Sequence, residues 1–295
     1  MMPWDNEYRI TSVIAVLAVI MGAAFHAHAS QNAAPCLITA QPMLLGLHRG
    51  GMEQWPENTL VAFQEAARRW PEALLELDVH TTADGHVVVI HDDTVDRTTN
   101  GSGLVRQKTL AEIQALDAAY HFTRDKGETF PYRGQGVIIP TLRQVLDVSA
   151  THRFLIEMKD GDNIAEATVA AIRAADAADR CILAAVPPVF IEQSRALAPE
   201  IATCYDFLSA ATMLNELRLG DWSAYTPEHK MLALSPTLKQ RFALTQEEIA
   251  SVRGKGILVA FWTINAETEM RHLLEFGADS IITDRPDVLA AILSE

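Results

Sequence analysis

The sequence predicts an α/β fold in which strands alternate with helices. Short apolar runs of strand length recur at 154–158, 181–186, 202–205, 231–234, 257–262 and 280–282, with helical segments between most of them. That alternation is the sequence form of a parallel sheet covered by helices. With 295 residues, 49% of them hydrophobic, the chain can bury one large core, and a single barrel domain is ordinary at this size.

Residues 43–47 read as a first buried strand ending at His48. Residues 59–70 read as a helix, because Leu60, Phe63, Ala67 and Trp70 recur at helical spacing behind Asn58 as N-cap. Segments 74–79 and 87–90 read as the strands of a hairpin across Asp84-Gly85, a strong signal for a two-residue turn. In that register Asp78 lies opposite His91, and direct joining of two strands breaks strict strand-helix alternation. From 93 to 139 the sequence turns polar and glycine-containing, with scattered Tyr120, Phe122, Phe130 and Tyr132. This stretch reads as an insertion over the mouth of the domain, with a short helix at 110–116. Alternation then resumes with a helix at 141–148, where Thr141 and Gln144 fit a capping box, and another at 165–175. No repeat or low-complexity tract interrupts it.

Several charged residues stand at or near the ends of apolar strand-like segments. Glu76 and Asp78 are two apart and share a face. Their neighbours Leu74, Leu75, Leu77 and Val79 imply a strand buried on both sides, where carboxylates need a partner. Glu157 and Lys159 repeat the spacing at the end of 154–158; the alternative reading is that they merely pair with each other. His48-Arg49-Gly50-Gly51 on its own would be a strand-ending turn. Together these segments supply two histidines, three carboxylates, an arginine and a lysine. A hard divalent cation takes oxygen ligands such as Glu76, Asp78 and Glu157. Arg49 and Lys159 suit an anion, and His48 and His91 suit general acid and base work near neutral pH. A phosphate ester needs all of these. Trp262 is either a core aromatic or a substrate-binding wall of the glycerol pocket. Glu57 reads as a charge at a helix start, and His80, His86, His121 and His152 read as surface residues.

His48-Arg49-Gly50, Pro56-Glu57-Asn58-Thr59, Glu76-Leu77-Asp78-Val79, Thr82-Ala83-Asp84-Gly85, His91-Asp92, Asp96-Arg97-Thr98-Thr99, Pro140-Thr141-Leu142, Glu157-Met158-Lys159 and Thr283-Asp284-Arg285-Pro286 follow one another in order. In this the chain, from about His48 to its C-terminus, resembles the glycerophosphodiester phosphodiesterase family. The resemblance implies a distorted (β/α)8 TIM-type barrel with a small insertion over the active-site mouth. It implies hydrolysis of a small glycerophosphodiester to glycerol 3-phosphate and an alcohol with one divalent cation, Ca2+ or Mg2+. Carried over by position, His48 and His91 are the acid/base pair, and Glu76, Asp78 and Glu157 bind the metal. Arg49 and Lys159 hold the phosphate. His48, Glu157 and Trp262 also fall at the C-terminal ends of strands, where barrel enzymes keep their active sites. One departure stands out: the family usually has a Ser-Phe pair after the strand at 181–186, and this chain has Pro187-Pro188. Alcohol specificity is therefore open. Two other readings compete: a related phosphodiesterase acting on lysophospholipid or phosphatidylinositol-type substrates, favoured by exposed aromatics in the insertion, and a non-catalytic binding barrel, which loss of a site residue would signal.

A net charge of −14 argues against nucleic acid and anionic membrane as partners, and leaves membrane contact to the N-terminal segment or the insertion. From Ile10 to Phe25 the chain is uncharged, preceded by Arg9 and followed by Ala27-His28-Ala29. Residues 1–29 thus read as a signal peptide cleaved after Ala29, giving an exported protein, periplasmic or secreted, with the domain at 30–295. Asp5 and Glu7 deny the n-region its usual positive excess, so a retained anchor is the alternative, although the run falls short of the ~20 apolar residues of a spanning helix. Of three cysteines, Cys181 and Cys204 are either bridged or buried thiols, and Cys36 after a proline does not suit a lipoprotein cleavage box.

Overall fold

The structure, a computed structural model, describes residues 45–295. The expected signal peptide, Cys36 and the first two residues of the expected opening strand lie outside the described residues. Among the described residues nine strands form one sheet: β1 Leu45–Leu47, β2 Leu74–Thr81, β3 Val87–Val89, β4 Arg153–Asp160, β5 Cys181–Ala185, β6 Ala202–Thr203, β7 Met231–Leu234, β8 Leu258–Phe261 and β9 Ser280–Thr283. Eight of them run parallel in the order β6-β5-β4-β2-β1-β9-β8-β7. A bridge between Cys204 and Met231, with Tyr205 N–H donating to the Met231 carbonyl at 2.8 Å, brings β6 against β7 and nearly closes a barrel.

The antiparallel β3 is the distortion. β1 pairs only with the start of β2, at Leu74 and Leu75, before it turns away. The far end of β2 is thereby left an open edge on that side, and β3 takes it, with Val79 opposite Val89 and Thr81 opposite Val87. Each strand side chain faces either the barrel axis or the helices. Leu74, Leu155, Ile182, Ala202, Met231, Ala260 and Ile282 form a small apolar cluster of their own. On β2 and β4 the same alternate positions continue upward as Glu76, Asp78, Glu157 and Lys159. Leu75, Leu77, Phe154 and Ile156 point the other way, into the larger core shared with helices such as Leu60–Arg69 and Ile164–Ala174. All eight residues of β2 are buried, so its two carboxylates must be answered from within the barrel.

Element boundaries agree with the sequence to within a few residues, with corrections. Thr59, not Asn58, caps the first helix: its side chain accepts from Ala62 N–H. Asn58 instead donates to Asp78 Oδ2 at 3.0 Å. His80 and His152 are buried, not surface residues. Cys181 and Cys204 are buried thiols, not a disulfide. No helix among the described residues is long and apolar enough to cross a membrane.

Near the β6–β7 seam the buried His229 shares a hydrogen bond of 2.9 Å with Thr203 Oγ1 and lies 4.7 Å from the Tyr205 ring. Burial, helped by the Arg195 charge, pushes its pKa down to about 4. A histidine kept neutral by the fold contributes stability that is complete above its unfolded pKa of about 6.5. That contribution is lost as pH falls toward 4. The urea midpoint is expected to drop across this window, and less steeply in His229→Asn; parallel profiles would show that His229 is not a source of the acid sensitivity.

Candidate active site

β1 ends in a tight turn at His48–Gly50, where Arg49, Gly50 and Gly51 all have positive φ, at 52°, 81° and 95°. Two glycines make such a run affordable, and the non-glycine Arg49 is held there by its bonds. Its backbone N–H donates to Glu76 Oε2 at 2.8 Å and its Nη1 to Glu57 Oε1 at 2.9 Å, while Nε lies 3.3 Å from Asp78 Oδ2. A Cβ on Gly50 would sit 2.8 Å from the Cβ of Ala62. Gly50→Ala is therefore expected to cost about 1–3 kcal/mol in denaturant unfolding and to lower activity by moving His48 and Arg49. A wild-type midpoint and activity would show that the turn tolerates the change.

The strand register puts Asp78 beside Glu157 on β4. Oxygens of Glu76, Asp78 and Glu157 all lie within 4.8 Å of one another. Lys159 Nζ reaches Asp78 Oδ1 at 3.1 Å and Glu157 Oε2 at 2.8 Å. Glu157 and Lys159 do pair, then, and Lys159 also answers Asp78. Burial and the neighbouring Asp78 charge push the Glu76 pKa up to about 8. Burial works the same way on Asp78, yet Lys159, Arg49 and His91 outweigh it and hold this carboxylate below its ordinary value. Three hard oxygen donors converging on one point are the set a divalent cation takes.

The hairpin register differs from expectation by one residue. Thr82 pairs with His86, its N–H donating to the His86 carbonyl at 2.9 Å, so the loop is Ala83-Asp84-Gly85 with Gly85 at φ 81°. The extra residue is the left-handed glycine of a three-residue loop. Asp78 therefore faces Ile90, whose N–H donates to the Asp78 carbonyl at 3.0 Å. His91 lies beyond the end of β3, yet still reaches the site: it lines the same cavity of about 410 Å³ as His48, Arg49, Glu76, Asp78, Glu157, Lys159 and Trp262. Every expected site residue is thus brought to one cavity.

Each histidine has a carboxylate on its Nδ1. His48 Nδ1 lies 2.5 Å from Asp284 Oδ1, and His91 Nδ1 lies 2.7 Å from Asp92 Oδ1. Asp284 is itself held by Asn265, whose Nδ2 donates to Asp284 Oδ2 at 2.6 Å and whose Oδ1 accepts from the Asp284 N–H at 3.0 Å. Nδ1 therefore carries a proton in both rings, and Nε2 is left to accept or donate. Burial opposes a charge on His48, but Glu76 and Asp284 outweigh it and raise its pKa. Sequence reasoning gave no role to Asp284, Asp92 or Asn265, and gave Glu57 a helix-start role. A local signal existed for Asp92, which adjoins His91.

The aromatics of the insertion are occupied internally. Arg133 lies over Tyr120 and Phe130, at 4.2 and 3.6 Å from the ring centroids, and Phe122 meets Tyr132 edge-on at 5.6 Å. At the mouth of the barrel, exposed apolar side chains lie instead beyond the ends of β5, β6 and β8, where Val186, Phe207, Leu208 and Trp262 are 77%, 47%, 68% and 39% exposed.

The profile of the Glycerophosphoryl diester phosphodiesterase family matches residues 48–288. A glycerophosphodiester phosphodiesterase of Caldanaerobacter subterraneus subsp. tengcongensis is 34% identical over 250 residues, 82% of this chain and 94% of its own length. One of Bacillus subtilis is 30% identical over 264 residues, 85% and 87%. The crystal structure of glycerophosphodiester phosphodiesterase from Agrobacterium tumefaciens, 26% identical, superposes with a TM-score of 0.68 over 84% of this chain and 99% of that one. On fold, site and sequence together, the chain belongs to the glycerophosphoryl diester phosphodiesterase family and is an enzyme built on that family's barrel.

Proposed function

We propose that the chain uses one divalent cation, calcium or magnesium, to hydrolyse glycerophosphodiesters to glycerol 3-phosphate and an alcohol. One arrangement carries this reading: two histidines, each anchored at Nδ1 by a carboxylate, face one cavity with three clustered carboxylates, Arg49 and Lys159. Glu76, Asp78 and Glu157 would hold the cation, which supplies positive charge against the phosphate oxygens. Arg49 and Lys159 bind the nonbridging oxygens and offset the charge that develops there. One histidine takes the proton of the attacking oxygen at Nε2, and the other returns a proton to the departing alkoxide. The experiment is release of glycerol 3-phosphate from glycerophosphocholine by the purified protein; no release under any divalent supplement would refute the reading.

A lysophospholipid is a second substrate class, favoured by the apolar side of the cavity. Val186, Phe207, Leu238 and Trp262 line it opposite the charged residues, and such a wall suits a hydrocarbon arm better than a hydrated head group. Pro187-Pro188, where the family usually has Ser-Phe, lies directly after Val186. Comparing kcat/KM for lysophosphatidylcholine and glycerophosphocholine decides between them.

A further inference from the structure

We propose that Arg97, at the start of the insertion and outside the active-site cavity, is a positioning residue that fixes both His91 and Arg49 through two carboxylates. Its guanidinium grips Glu57 with Nη1 to Oε2 at 2.6 Å and Nη2 to Oε1 at 2.8 Å. It grips Asp92 with Nε to Oδ2 at 2.6 Å and Nη2 to Oδ1 at 3.1 Å. Each carboxylate then passes the constraint inward. Glu57 Oε1 accepts from Arg49 Nη1 at 2.9 Å, and Asp92 Oδ1 lies 2.7 Å from His91 Nδ1.

Two features set this apart from an ordinary surface ion pair, which is worth little. First, both grips are two-point forks, and only a planar guanidinium presents donors that can fork two carboxylates at once. Second, the far ends are confined: the side chains of Glu57 and Arg49 are only 10% and 12% exposed, against 44% for Arg97. Charge balance runs the same way. Glu57 faces two guanidiniums, and without Arg97 the Asp92 carboxylate would keep no partner but His91 among the hydrogen bonds seen here. The short stretch that carries Arg97 is itself pinned, since Thr99 Oγ1 donates to the Val95 carbonyl at 2.7 Å and Gly103 N–H donates to Asp96 Oδ2 at 2.8 Å. The insertion therefore reaches the chemistry through one side chain that touches neither the cavity nor the carboxylate cluster.

The inference rests on the proposed phosphodiesterase activity, so wild-type turnover is the control: no wild-type activity overturns that reading, whereas the variants below judge Arg97. Arg97→Ala is expected to lower kcat about 10–100-fold, as loss of a group orienting a reactive side chain does, and to raise KM through Arg49. Arg97→Lys keeps a charge and the fold but cannot fork two carboxylates, and is expected to stay impaired. Guanidinium at millimolar concentration should restore part of the kcat of Arg97→Ala. In the His91→Ala background, Arg97→Ala should lower kcat by clearly less than it does in the wild type, because the His91 branch is already lost and only the Arg49 branch remains. Wild-type kcat and KM in folded Arg97→Lys, or a full additional loss of kcat in the double variant, would overturn the proposal. If Arg97→Ala fails to fold, Arg97→Lys alone decides.

Discussion

Replacing either His48 or His91 by alanine is expected to lower turnover by ~10²–10⁴-fold, the usual worth of one positioned proton-transfer group. Neither ring is free to do anything else. With Nδ1 committed to Asp284 or Asp92, each presents a single nitrogen to the cavity. Loss of one leaves the other able to serve only one direction of proton traffic. Binding should suffer far less, because the proposed reading has Arg49, Lys159 and the cation meet the phosphate charge. Steady-state kcat and KM for both variants, with thermal melts to confirm folding, provide the check. Near-normal kcat in either variant would reduce that histidine to a structural role. Asp284→Asn should reproduce a smaller part of the His48 effect, since an amide can still accept at the same place without its charge.

Removal of divalent ions is expected to abolish hydrolysis, and calcium or magnesium to restore it. Without a cation, the cluster has to relieve its own repulsion. Lys159 bridges Asp78 and Glu157, and Glu76 keeps a proton, with its pKa up at about 8. Binding a cation must expel that proton, so apparent metal affinity should rise with pH until about 8 and then level off. Titration calorimetry of the EDTA-treated, dialysed protein at pH 6.5 and 8 measures this directly. Full activity after chelation would refute the metal role of the three carboxylates, and pH-independent affinity would remove Glu76 from the ligand set.

How much of this was legible in the sequence depended on how local each cause was. Alternation with period 2 placed Glu76 with Asp78 and Glu157 with Lys159 because a strand enforces it within three residues. The first helix, the capping box at Thr141 and strands such as Met231–Leu234 were legible for the same reason. Asp284 was not, because its partner His48 is 236 positions away and only closure of the barrel joins β9 to β1. Glu57 was misread because a charge before a helix has an ordinary explanation, and nothing local reveals that Arg97, 40 positions on, will grip it. The hairpin slipped by one residue because Asp84-Gly85 suits both a two-residue loop and a three-residue one. His80 and His152 looked like surface residues because polar character, not packing, was all the sequence displayed. His80 is in fact bonded to the His91 carbonyl at 3.0 Å, and His152 to the Trp70 carbonyl at 3.1 Å.

The exposed apolar rim has an evolutionary consequence. Val186 and Phe207, with the half-buried Leu238 beside them, follow β5, β6 and β7, and none of them takes part in the hydrogen bonds that organise the histidines or the carboxylates. The residues proposed to break the ester come from the other arc of the barrel, on β2 and β4 and in the segments after β1, β3 and β9. Mutation can therefore sample new substrates on one arc while the reaction on the other is inherited unchanged. A library confined to the three segments after β5, β6 and β7 should yield variants that exchange one phosphodiester substrate for another far more often than variants that are inert.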